Sequence, residues 1–251
     1  MNAPAPARLL DRLYASESHH WWSVGMRAVS HAILESSVLP DGPLLEVGCG
    51  GCAFLRELAD QNPRRIALGI DRNPAALSSV RASGAAQSPL AQADLHNLPF
   101  ADRSLAIVIG LDAFDQQGVR LQTALVESRR VLMPGGILAL RVSAYAWLRG
   151  EHDRAFGTGH RYSAKEIRTA LRGAGFRIER LTHANLCMLL PAIVLRLAVM
   201  ARIASVEGQF APARALAGSL TAVLRAEAAV LRSIGFPAGL SLYALARKTA
   251  D

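Results

Sequence analysis

Short apolar runs alternate along the chain with windows of helical spacing. Leu44 to Val47, Arg65 to Ile70, Ser104 to Gly110 and Gly136 to Val142 read as strands, and such alternation predicts a parallel sheet, because parallel neighbours need long connections that return over one face. Ahead of these strands, helical spacing runs from Ala7 to about Ser16 and from Val24 to Ser36, with His19-His20-Trp21-Trp22 between; Pro40-Asp41-Gly42-Pro43 then breaks the pattern. Pro134-Gly135-Gly136 marks the turn into the strand that follows it. Ser163 to Gly173 reads as a helix opened by a capping box, with Glu166 three residues after Ser163. Phe176 to Leu181 and Ser241 to Arg247 are two further strands, separated by a helical insertion from about Leu186 to Ser233.

These elements predict an α/β fold in a single domain: a helical cap over 1–39, a core over 40–185, a helical insertion or lid over 186–236, and a last strand returning to the core over 237–251. A chain of 251 residues is long enough for a substantial core. The most apolar stretch, Leu186 to Val206, contains Pro191, Arg196 and Arg202, so a buried or surface-lying helix is expected there and not a membrane span. Contact with a membrane surface, or a homodimer through the insertion, stays open. The formal net charge of +8 comes almost wholly from arginine, since Lys165 and Lys248 are the only lysines. No dense basic run or aromatic-interleaved patch accompanies it, which argues against a nucleic-acid partner. Three cysteines make no disulfide framework, and the N-terminus lacks the pattern of a secretory signal, so a cytoplasmic protein is expected.

The most informative stretch is Glu46-Val47-Gly48-Cys49-Gly50-Gly51-Cys52, between the apolar Leu44-Leu45 and a helical window from Ala53. Glycines at alternate positions between a strand and a helix let the backbone turn sharply and approach a ligand closely. Asp71 follows the second strand about 20 residues later, the distance one strand-helix-strand unit requires, and a carboxylate there can accept both hydroxyls of a ribose. Asp94, ahead of Leu95 and Leu98-Pro99-Phe100, is placed to accept from an exocyclic purine amine. Together they indicate a nucleoside-containing cofactor. Gly48, Gly50 and Ala53 also satisfy the loose G-x-G-x-x-G/A dinucleotide pattern, so a nicotinamide-dependent oxidoreductase is one alternative. Cys49 and Cys52 form a C-x-x-C pair, for which a redox or metal role is a minor alternative, and no metal is expected.

Glu46 at the strand end, the Asp94-Leu95 element and the Pro-Gly-Gly turn resemble the class I S-adenosylmethionine-dependent methyltransferases, over roughly residues 40–182. That resemblance implies a doubly wound, Rossmann-like sheet of seven strands with the last antiparallel, and S-adenosyl-L-methionine as cofactor. It implies that Glu46, Gly48, Cys49 and Gly50 hold the methionine portion, Asp71 the ribose, Arg72 flanks the adenine, Asp94 and Leu95 read its edge, and Gly110 with Leu111 closes the site. The chain departs from the family at Cys52, where a third glycine is usual, and at Asp115-Gln116, where relatives often carry Glu-His.

His19-His20-Trp21-Trp22 with Arg27, and Glu151-His152-Asp153 followed by His160-Arg161-Tyr162, resemble a subset of the family with an N-terminal cap and a conspicuous loop after the fifth strand. His20, Trp21, Trp22, Gln116 and Tyr162 are the expected substrate-pocket residues. His152 and His160 are the candidate bases, because an imidazole titrates near neutrality and an acidic nucleophile must lose a proton. The expected activity is methyl transfer to an oxygen or nitrogen of a small, largely apolar molecule, such as a natural-product intermediate. The second alternative is a protein that keeps this fold but performs a non-methylating reaction or only binds a ligand.

Overall fold

The computed structural model of the chain describes residues 17–82, 88–200 and 214–249. The helix expected from Ala7 to Ser16 and the middle of the insertion lie outside the described residues. The described elements run α1 (Trp21–Leu34), β1 (Leu44–Val47), α2 (Ala53–Gln61), β2 (Ala67–Asp71), α3 (Pro74–Ala82), β3 (Leu90–Gln92), β4 (Leu105–Leu111), α4 (Leu121–Val131), β5 (Leu132–Ser143), α5 (Glu151–Phe156), α6 (Ala164–Gly173), β6 (Phe176–Ala184), α7 (Leu186–Met200), α8 (Arg214–Leu231) and β7 (Ser241–Lys248).

They build one seven-stranded sheet in the order β3-β2-β1-β4-β5-β7-β6. β1 to β5 pair in parallel, while β7 runs antiparallel to both β5 and β6. This order departs from the 3-2-1-4-5-6 of the dinucleotide-binding fold at its second half, where β7 inserts between β5 and β6. The strand order reverses at β1, which lies between β2 and β4, and the crevice beyond the carboxyl ends of these parallel strands is where such sheets bind ligands. Two apolar layers cover the faces. Val29, Ile33, Phe54, Leu55 and Leu231 pack on one side; Leu125, Ile167, Leu171 and Phe176 pack on the other.

Three elements differ from the sequence expectation, each for a local reason. α1 starts at Trp21, not Val24, because Val24 N–H already donates to the His20 carbonyl (2.9 Å); the two tryptophans therefore sit in its first turn. β3 escapes pattern reading because it is three residues long, at the sheet edge and largely exposed. β5 starts at Leu132, and Pro134-Gly135-Gly136 is a bulge inside it: Leu105 pairs with Leu132 and Ile107 with Ile137, with Gly135 at φ +75°. The capping box forms as its residues suggest, Ser163 Oγ accepting from Glu166 N–H and the Glu166 carboxylate from Ser163 N–H (2.7 Å).

The insertion does not lie on the sheet alone. α8 packs along α1, so closely at Gly25 that a Cβ there would sit 2.4 Å from Leu224 Cδ1. α7 begins where Glu227 of α8, itself buried, accepts from the N–H groups of Asn185, Leu186 and Cys187, filling orphan donors at the helix start. No helix among the described residues is long and apolar enough to cross a membrane.

Candidate active site

The carboxyl ends of β1, β2 and β4 form the floor of a cavity of about 1200 Å³. That is slightly more than one drug-sized ligand needs, typically about 300–1,000 Å³. Its floor is the glycine turn. Gly48 and Gly50 have φ of +71° and +50°, and a Cβ at Gly48 would lie 2.9 Å from Ala113 Cβ. Cys52, where the family has glycine, adopts the left-handed conformation itself (φ 59°, ψ 19°), its N–H donating to the Cys49 carbonyl at 2.7 Å. The departure is absorbed with modest backbone strain. Both thiols are buried away from the cavity, Cys49 so close beneath β2 that a Cβ at Gly69 would sit 3.0 Å from its Sγ. Among the described residues no cluster of three metal-ligating side chains forms.

Asp71 closes the turn from the next strand. Its Oδ2 accepts from Gly50 N–H (2.9 Å) and its Oδ1 from Asn73 N–H (2.8 Å), which aims the carboxylate and leaves a lone pair on each oxygen. Glu46 is buried and lines the cavity, and its Oε2 has no partner. Burial, then the neighbouring Glu17, pushes its carboxyl well above the usual carboxylate range. Glu17 Oε2 accepts from Gly51 N–H (2.9 Å), and burial raises this carboxyl too. A cationic donor placed between them would relieve both groups, since an unpaired buried acceptor is costly. The floor thus fits S-adenosyl-L-methionine: a diol acceptor at Asp71, a close-approach turn, and buried carboxylates suited to its ammonium group.

Farther along the floor, Arg72, Asp94, Leu95 and His96 line the far end. Asp94 Oδ1 accepts from His96 N–H (2.7 Å) and lies 2.6 Å from His96 Nδ1, while His96 Nε2 accepts from Arg120 N–H (2.9 Å). An imidazole accepting at Nε2 carries its proton on Nδ1, so His96 donates to Asp94 and fixes its orientation. The hydrogen bond from the His96 backbone is the main cause holding Asp94 below its ordinary pKa. Arg72 Nη1 donates to the Gln117 carbonyl (2.8 Å), tying β2 to the loop after β4. Leu111 lines the cavity. Gly110 does not, because Phe114 occupies the space where its Cβ would be, at 2.3 Å.

One network joins floor and cap. Arg141 makes a bidentate pair with Asp112 (2.9 and 2.6 Å) and donates to Tyr243 Oη (3.2 Å), which lies 2.9 Å from Ser30 Oγ of α1. Arg27 of α1 bonds Glu57 (2.7 Å) and the carbonyls of Glu17 and Ser18 (2.6 and 2.9 Å), stapling the segment before α1 over the glycine turn.

The roof comes from separate stretches: His20, Trp21 and Trp22, the loops after β4 and β5, and α7. The Trp21 and Trp22 rings meet edge to face at 5.6 Å. Gln116 lines the cavity and donates to the Asp112 carbonyl (3.0 Å). Its neighbour Asp115 is buried and ties the two loops. Its Oδ2 accepts from Ser143 N–H (2.8 Å), and its carbonyl from Gly159 and His160 N–H (2.7 and 3.2 Å). Burial, then Asp112, pushes its carboxyl up to about 6.

Of the two candidate bases, the described one falls elsewhere. His160 is half-exposed, does not line the cavity, and points at Glu166 (3.4 Å) over the Tyr162 ring. Tyr162 is buried in the core instead of the pocket, its hydroxyl pushed up to about 12 chiefly by burial. His152 is in α5, and its side chain lies outside the described residues. His20, expected only as a pocket residue, lines the cavity with its Nδ1 buried and unpartnered. Glu17, His96 and Arg196 were not singled out as site residues by sequence. Glu17, an acid just ahead of His19-His20-Trp21-Trp22, carried the one usable signal.

Comparison with known proteins agrees with this geometry. The methyltransferase-domain family matches residues 45–140. Malonyl-[acyl-carrier protein] O-methyltransferase 1 of Coxiella burnetii is 32% identical over 145 residues, 56% of this chain and 49% of that protein; the match thus spans about half the relative's length. Among solved structures, a chain from the complex between the Haloferax volcanii Trm112 methyltransferase activator and a methyltransferase superposes with a TM-score of 0.63 at 22% identity, over 96% of this chain and 98% of that one. The [4+2]-cyclase SpnF superposes with a TM-score of 0.60 at 23% identity, over 93% and 85%. These two likenesses speak for the fold alone. The matched domain, the 3-2-1-4-5-7-6 sheet and a floor that fits the adenosyl cofactor are those of the class I S-adenosylmethionine-dependent methyltransferases.

Proposed function

We propose that the chain transfers the methyl group of S-adenosyl-L-methionine to an oxygen or nitrogen nucleophile of a small, largely apolar molecule. The observation that carries this is one cavity with two unlike ends: a floor of aimed carboxylates and close-approach glycines, and a roof of Trp21, Trp22, Met188, Pro191 and Leu195. When bound, the cofactor supplies a carbon already activated by its sulfonium. What remains for the protein is alignment and water exclusion, which supply much of the rate in such transfers. Asp71 and the glycine turn fix the nucleoside, Glu46 and Glu17 the amino-acid end. Trp21 and Trp22 cover the centre with aromatic faces that tolerate positive charge. His20, which lines the cavity and whose buried Nδ1 has no partner among the described residues, takes the nucleophile's proton. The insertion of 186–236 acts as the lid.

The O-methyltransferase activity in the name of the Coxiella relative supports an oxygen acceptor. Calorimetric titration with S-adenosyl-L-methionine, followed by mass analysis of products from small phenols, acids and amines, tests the proposal. A gain of one methyl group supports it, and failure of the cofactor to bind overturns it. A second reading, a non-methylating reaction on the same fold, is favoured by the placement of His160 outside the cavity. It predicts cofactor binding with a product of unchanged mass.

A further inference from the structure

Five arginines line the cavity: Arg27, Arg72, Arg141, Arg161 and Arg196. Four are spoken for. Arg27 is held by Glu57, Arg141 by Asp112, Arg161 by Asp153 (2.7 Å) and the Ala144 carbonyl (3.0 Å), and Arg72 by the Gln117 carbonyl. Arg196 of α7 is the exception. Its Nε is buried and, among the described residues, has no hydrogen-bond partner, and its Nη1 would lie 3.0 Å from a Cβ at Gly150, which as glycine leaves room for it. Trp21, which also lines the cavity, has its Nε1 likewise buried and unpartnered among the described residues. Both atoms can only donate.

Apart from His20 Nδ1, which can donate or accept, the unmet hydrogen-bonding needs of the cavity wall therefore sort by position. On the floor, Glu46 Oε2 lacks a donor; on the roof, Arg196 Nε and Trp21 Nε1 lack acceptors. A cation satisfies the first, and an anion satisfies the second. Around Arg196 the helix contributes Met188, Pro191, Ala192 and Leu195, which offer no polar partner. A guanidinium left free in an apolar wall is costly unless a ligand completes it, and guanidinium pairs best with planar or tetrahedral oxyanions.

Resting on the methyltransferase reading above, we infer that the substrate is an amphipathic anion. An apolar body lies against α7, and an oxyanion head group, carboxylate or phosphate, is anchored by Arg196 with help from Trp21. Arg196 is then a specificity-determining residue: it places the substrate and takes no part in the transfer. The two head groups share this chemistry, and the test separates them.

Decanoate, decyl phosphate and decanol are titrated into the full-length protein saturated with S-adenosylhomocysteine, comparing wild type with Arg196→Gln and Arg196→Lys. At least one anion should bind wild type tenfold or more tighter than decanol, and the tighter of the two names the head group. Arg196→Gln should erase that preference while leaving decanol affinity within twofold, and Arg196→Lys should keep part of it. Decanol binding as tightly as both anions, or an anion preference unchanged in Arg196→Gln, overturns the inference. Titration of S-adenosyl-L-methionine on the same samples separates this from failure of the function itself. Retained cofactor binding without anion preference sinks only the substrate class, whereas lost cofactor binding in wild type sinks the methyltransferase reading. Retained cofactor binding in Arg196→Gln also shows that this variant is folded.

Discussion

The floor and the roof of the cavity are held in place by different means. On the floor, Glu46, Gly48, Gly50 and Asp71 belong to one strand-helix-strand unit, and their geometry is set by backbone: ladder pairing of β1 with β2, left-handed glycines, and main-chain N–H groups aiming Asp71. On the roof, His20, Trp21, Gln116, Met188 and Arg196 come from segments far apart in sequence and meet through tertiary contacts: packing of α1 on α8, Glu227 of α8 at the start of α7, and the Asp115 clamp. A site fixed by backbone suits a cofactor that many relatives share. A site fixed by packing is free to diverge, which is where substrate choice is expected to reside.

The sharpest way to break the comparison is at the turn itself. Gly48→Val places a β-branched residue at φ +71° and against Ala113; S-adenosyl-L-methionine affinity should fall more than about 100-fold and stability by about 1–3 kcal/mol, read by calorimetry and thermal melting. Retained affinity would dissolve the floor assignment. Next is a test of the roof. Because the folded pKa of Asp115 lies near 6, above the usual 3.8, the folded chain holds a proton that the unfolded chain has released. Its stabilising contribution is complete below pH 3.8 and disappears as pH rises through 6. Melting curves from pH 4 to 7 should therefore slope downward, and Asp115→Asn should remove up to about 3 kcal/mol of that slope; an unaltered slope would show that the clamp is not the titrating group.

Smaller effects sharpen the division. Asp71→Ala should weaken cofactor binding by about 1–3 kcal/mol, and unchanged affinity would remove Asp71 from the ribose role. Glu46→Gln should act in two directions, raising the melting temperature of the cofactor-free protein at pH 8 while lowering cofactor affinity by about 1 kcal/mol. A drop in both would make Glu46 purely structural. Smallest is His160→Ala, for which turnover should stay within about twofold, whereas His20→Ala should lower it by about 10²-fold or more. The reverse order would return the base to the loop after β5.

What sequence revealed follows the same division. Residues of the floor are spaced by covalent chain, so a strand, a glycine turn and an acid about 20 residues on could be recognised without coordinates. Most strands were legible too, because buried parallel strands are continuous apolar runs. β3 was not, having three residues and no apolar run. The roof resisted because proximity there is tertiary. Nothing near Arg196 in sequence indicates that it lacks a partner, since that depends on four other arginines finding theirs. His160 was misplaced for a related reason: its loop does cross the cavity, lining it with Thr158 and Arg161, but the ring turns outward to Glu166. Cys52 shows the converse, a residue that breaks the sequence pattern while keeping the backbone shape the pattern encodes.

The bonded series Ser30–Tyr243–Arg141–Asp112 bears on how this protein could be taken apart. Tyr243 is wholly interior, so removing the segment that supplies Ser30 would strand a phenol in the middle of the sheet and loosen the guanidinium beneath the ligand chamber. The front helix is therefore no interchangeable module. Grafting it onto a cousin, or trimming it from this chain, would disturb the very strands on which the sulfonium compound rests.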